Sequence, residues 1–199
     1  MSDFRRARPD DADAITATIT SAFHTDPVWS WAFPDEAARP AQFTKWWRLF
    51  VDAALRDGWV WVTDGCEAIT MWSEPGVEEL NDDDIAKLLP LLTELLGDRA
   101  AVVGEMLLRF DANHPAEPPH YYLSFVATHR AHQGQRLGQR LLSHNLRLID
   151  KEHQPAYLES SNPMNEPRYA RLGFEETGRF DVADEPGVPY LVQMWRDAR

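Results

Sequence analysis

The run HYYLSFVAT, residues 120–128, passes directly into HRAHQGQRLGQRLL, residues 129–142. A strand this rich in aromatic and apolar residues belongs inside a sheet, and the helix after it must pack back on that sheet, so an α/β arrangement follows. Between them, Gln133-Gly134-Gln135-Arg136-Leu137-Gly138 sets a row of backbone N–H groups at the start of a helix. Orphan donors and the macrodipole there both favour an anion such as a pyrophosphate. Gly134 and Gly138 permit a close approach of ligand to backbone, and Arg136 is expected to sit in the first helical turn with helical dihedrals. No Gly-Lys-Ser/Thr closes the turn and the GxGxxG fingerprint is incomplete. Taken alone, the turn is equally an ordinary strand–helix connection.

The remaining elements follow from periodicity and punctuation. FRRAR is a short strand, and PDDADAITATITSAFHTD reads as a helix with acidic residues in its first turn. The aromatic, turn-rich HTDPVWSWAFPDE leads to a helix over 37–55. WVWVT, the turn Asp64-Gly65 and AITMW form a hairpin. Residues 81–115 read as two helical pieces, with Pro90 near a helix start and Gly97 as a stop. The helix after the glycine turn runs to about Glu152. PAYLES is a strand, PMNEPRYARLGF holds a short helix entered at Pro167, and LVQMWR closes the sheet. No repeat or linker divides the 199 residues, so one domain over 1–199 is expected.

A formal charge of −12 argues against binding nucleic acid and favours a cationic small molecule. The amino terminus has no apolar core of a signal peptide and no run of membrane-spanning length occurs, so a cytoplasmic protein without a membrane role is expected. The single cysteine, Cys66, rules out an internal disulfide and a cysteine metal cluster. His129 and His132 lack a third credible ligand, and no metal is expected.

Gln133, Arg136, Leu137 and Gly138 fall on the coenzyme-A-binding pattern of the GNAT N-acetyltransferases, (Arg/Gln)-x-x-Gly-x-(Gly/Ala), with Arg136 in place of the middle glycine. Downstream, Leu158, Glu159, Asn165, Tyr169, Arg171, Leu172, Gly173 and Phe174 resemble the closing motif of the puromycin-type branch of that family. The usual proline after the long strand is Arg130. The likeness spans nearly the whole chain and is strongest over 120–180. It implies a single-domain GNAT fold, a mixed central sheet flanked by helices, and an acetyl-CoA-dependent N-acetyltransferase acting as a monomer or homodimer on a small-molecule amine, such as an antibiotic or related metabolite. A protein or peptide amine as acceptor, or a catalytically silent acyl-CoA sensor, are the alternatives.

The resemblance also distributes roles. Val126, Ala127 and Thr128 offer backbone groups to the pantetheine arm and the thioester oxygen. Gln133, Gly134, Gln135, Arg136, Leu137, Gly138 and Gln139 hold the pyrophosphate, and Asn165 bonds the coenzyme near its pantetheine. Tyr169 is the general acid, since a phenol stays protonated at neutral pH. Glu159 is a candidate base that could also bind the cationic amine, or a structural carboxylate. Trp29, Trp31 and Phe33 alternate in the segment that lines the acceptor pocket in this family, where aromatics can hold an ammonium, though such spacing equally suits a core. His24 and Asp26 beside them could reach an acceptor, but both are expected to be exposed.

Overall fold

This computed structural model describes residues 4–199; residues 1–3, the start of the amino terminus read above, lie outside the described residues. The strands are β1 (Phe4–Arg6), β2 (Trp59–Thr63), β3 (Ala68–Ser73), β4 (Tyr121–Thr128), β5 (Ala156–Ser160), β6 (Glu175–Asp181) and β7 (Tyr190–Arg196). They form one sheet in the order β1-β2-β3-β4-β5-β7-β6. Among the described residues only β4 and β5 pair in parallel; the other pairings are antiparallel. The helices are α1 (Ala12–Phe23), α2 (Pro27–Ala32), α3 (Arg39–Asp57), α4 (Asp82–Leu96), α5 (Ala100–Asn113), α6 (Leu137–Ile149) and α7 (Glu166–Ala170).

The mixed α/β architecture expected from the sequence is the one observed, with three departures. Strand β6 was not foreseen: EETGRFD lies at the sheet edge with most side chains in water, so it carries no apolar alternation. Part of the aromatic segment is helical, because Asp26 caps α2 by accepting from the N–H groups of Val28 and Trp29 while Pro27 opens the first turn. Pro90 starts no helix; α4 runs through it and stops at Gly97, whose φ of 55° ends the helix as expected.

Two apolar layers sandwich the sheet. On one face α1 and α3 bring Ile15, Ile19, Phe43, Trp46, Trp47 and Phe50 against Ile69, Met71 and Phe125. Trp47 meets Phe125 edge-on at 5.3 Å, and each such buried ring contributes on the order of 2–3 kcal/mol of burial. On the other face α6 packs Leu142, Leu146 and Ile149 over Trp72, Tyr121, Leu123 and Leu158. Buried Asn145 pins α6 to β3, its Oδ1 accepting from Thr70 Oγ1 at 2.7 Å and Trp72 Nε1 at 3.3 Å. At its far end α6 leads into Asp150, which accepts two bonds from buried Arg196 on β7.

Asn145→Ala strands two buried donors, so chemical unfolding should show a loss of about 2–3 kcal/mol in stability. An unchanged denaturation midpoint would remove Asn145 as the anchor of α6.

Candidate active site

The parallel pairing of β4 with β5 stops after Tyr121–Ala156 and Tyr122–Tyr157. Beyond that point the strands part, and the rest of β4 and the end of β5 line a cleft of about 1480 Å³. A bulge shapes its wall. Met71 pairs with Phe125 and Trp72 with Leu123, so Ser124 is an extra residue on β4. The bulge exchanges the faces of the strand: Tyr121 and Leu123 pack on the α6 side, whereas Phe125 and Ala127 pack on the α1 and α3 side.

Val126, Ala127 and Thr128 end β4 in the cleft, and Gln133, Gly134, Arg136, Leu137, Gly138 and Gln139 line it beside them; Gln135 lies in the same turn but off the lining. The first helical bond of α6 runs from the Arg140 N–H to Arg136 O, which leaves the N–H groups of Leu137, Gly138 and Gln139 unspent by the helix. Arg136 departs from expectation. It caps α6 in the left-handed region, with φ 58° and ψ 21°, rather than adopting helical dihedrals. Gly134 is also left-handed, at φ 81°, so two positive-φ residues shape the turn ahead of α6. The family pattern has glycine at the Arg136 position because that backbone favours it. Gly138 is needed for space: a Cβ there would stand 2.7 Å from Thr128 Oγ1.

Across the cleft, Asn165 caps α7 and Tyr169 lies within it; both line the cleft. Asn165 Oδ1 accepts from Arg168 Nη1 at 2.8 Å, so its amide N–H groups are not used in that bond. Burial, then the charge of Asp26, push the Tyr169 phenol above its ordinary range. Asp26 is buried rather than exposed, because capping α2 and accepting from Ser161 Oγ at 2.7 Å hold it inside. Burial pushes its carboxyl up to about 6 against those hydrogen bonds, which pull it down.

The other end of the cleft is acidic. The Glu159 side chain is 1% exposed, and its Oε1 lies 3.6 Å from His114 Nδ1. His114 follows α5, whose last residue Asn113 accepts from Gln193 of β7 at 2.7 Å. Glu79, from the loop after β3, is pushed up to about 7 by burial, with the Ser124 hydroxyl pulling it down and the Glu159 charge pushing it further up. The proton positions follow from the partners. His120 Nδ1 is 2.8 Å from Pro118 O, which only accepts, so that nitrogen carries hydrogen. Burial holds the His120 imidazole below its ordinary range and neutral, leaving Nε2 a lone pair. His114 Nε2, 3.2 Å away, is therefore the donor.

Of the three aromatics expected to meet an acceptor, Trp29 lines the cleft. Phe33 does not: it is fully buried between Phe43 at 5.2 Å and Trp46 at 6.0 Å. Trp31 packs beneath the Arg99 guanidinium at 4.7 Å, away from the lining, because the helical turn of α2 separates the side chains that an alternating strand would align. Asp26 was expected to be exposed, and Glu79 and His114 were not picked from the sequence. Asp26-Pro27 is a helix-start signal that could have revealed the first; Glu79 and His114 reach Glu159 only through tertiary folding.

Arg136→Gly should relieve the left-handed strain and raise stability by about 0.5–1 kcal/mol after the entropy of glycine is set against it. Thermal unfolding should register this as a rise of roughly 1–4 °C; a fall would mean that the arginine side chain holds the turn.

The Acetyltransferase (GNAT) family profile matches residues 20–174. Among solved structures, one described as histone acetyltransferase HPA2 and related acetyltransferase from Corynebacterium glutamicum is 22% identical with a TM-score of 0.67, covering 98% of this chain and 96% of that one. Arylalkylamine N-acetyltransferase 2 from Aedes aegypti is 12% identical with a TM-score of 0.64, and an agmatine N-acetyltransferase is 12% identical with a TM-score of 0.62; each covers 98% of both chains. With a profile match over most of its length and a strand-parting cleft headed by an anion-binding turn, this chain belongs to the GNAT family of N-acetyltransferases.

Proposed function

We propose that the protein transfers an acetyl group from acetyl-CoA to the amine of a small molecule within one ternary complex. The observation that carries this reading is that one cleft joins the N–H-lined turn, the Tyr169 phenol and the Glu79 and Glu159 carboxyls. The cleft suits the coenzyme: unspent N–H groups at the start of α6 meet a pyrophosphate, and the exposed Arg136 adds a cation. Val126, Ala127 and Thr128, freed from β5, offer backbone groups to the pantetheine, and Asn165 offers its amide. Bound acetyl-CoA supplies an activated thioester.

Glu159, buried in the cleft beside His114, attracts the ammonium and takes a proton from it, which frees the nitrogen lone pair. Tyr169 keeps its hydroxyl proton at neutral pH and holds it for the departing sulfur. Trp29 forms an aromatic wall of the cleft. The likeness of LESSNPMNEPRYARLGF to the puromycin-type branch supports an antibiotic or related metabolite as acceptor.

The test is thiol release from acetyl-CoA with a panel of small amines, antibiotics and basic peptides. Small amines should release thiol, and Tyr169→Phe should lower kcat by about 10²–10⁴-fold while a coenzyme-dependent thermal shift persists. Release with peptides alone would move the acceptor to proteins. A thermal shift without any release would make the protein an acyl-CoA sensor.

A further inference from the structure

Resting on the proposed transfer, the cleft also specifies the kind of amine. With Glu79 and Glu159, its lining includes Val77 in the loop after β3, Ile85 and Leu88 of α4, and Leu107 and Leu108 of α5. Val77 is 36% exposed, Ile85 54% and Leu108 67%. Single exposed apolar side chains are ordinary on any surface. Here three segments contribute them to the lining of the same cleft that holds the carboxyls where an ammonium would be drawn. Leu88 and Leu107 are half-buried against the core and hold the wall in place.

We infer that the acceptor is a monoamine carrying an apolar chain or ring, its ammonium between Glu79 and Glu159 and its apolar body along Val77, Ile85, Leu88, Leu107 and Leu108. The charge balance suits one ammonium. Burial, and to a lesser degree the neighbouring Glu159 charge, push the Glu79 carboxyl up to about 7, so near neutral pH it retains much of its proton and the two carboxyls present less than two full negative charges. A second ammonium, as in a polyamine, would lie against leucine and isoleucine and lose water without gaining a partner.

The experiment uses linear alkylamines from ethylamine to octylamine, with putrescine and spermidine as polar counterparts. Two readouts are taken on the full chain: kcat/KM from thiol release, and Kd by calorimetry with coenzyme A present. Affinity and kcat/KM should rise about two- to fourfold per added methylene. Hexylamine should exceed putrescine by at least tenfold, and Leu108→Asp and Ile85→Asp should each flatten the dependence on chain length. A flat series, no binding by any member, or a preference for the diamines would overturn the inference while leaving acetyl transfer to another amine possible. Binding that tightens with chain length without turnover would uphold it and refute the transfer. Sedimentation separates the remaining occupant: if Leu108→Asp splits a dimer and the chain-length dependence persists, the wall is a subunit contact and the inference fails.

Discussion

Two strands that pair in parallel for two residues and then diverge define this molecule's site. A continuous sheet would satisfy the facing backbone groups of β4 and β5 and leave no room between them. Their separation at Tyr122 and Tyr157 opens the cleft and leaves backbone at the end of β4 without a strand partner on that side. Keeping them apart requires firm support on both flanks. On one, antiparallel β3 and the α6 anchor at Asn145 hold β4; on the other, β7 pairs with β5 along its whole length and reaches α6 through Arg196 and Asp150.

The Ser124 bulge lies just past the point of separation. It turns Phe125 and Ala127 toward the aromatic layer of α1 and α3, which fixes the far half of β4 while the near half stays fixed by α6. The strand is thereby gripped from opposite faces on either side of the bulge. The turn at its end inherits that rigidity. Its donors are presented by a backbone in which even a non-glycine residue, Arg136, is held at positive φ.

Much of this could be read in the sequence because local patterns carry it. HYYLSFVAT, the glycine turn and the motif from Leu158 to Phe174 located the strand, the turn and the short helix bearing Asn165 and Tyr169. What escaped has physical causes. The bulge leaves the apolar alternation of β4 intact while exchanging its faces, so periodicity is blind to it. Phe33 and Trp31 were aligned with Trp29 by a period of two that α2 does not follow. β6 is an edge strand in water. The Glu79, His114 and Glu159 cluster unites a loop, a helix end and a strand from distant parts of the chain, and no spacing encodes it.

The central claim, that the diverging strand and its turn form the coenzyme site, is tested most directly by amide hydrogen exchange with and without coenzyme A. Protection on binding should concentrate at Val126–Thr128 and at the amides from Gly134 to Gln139. Coenzyme binding with no protection there, or with protection confined to other surfaces, would contradict the account.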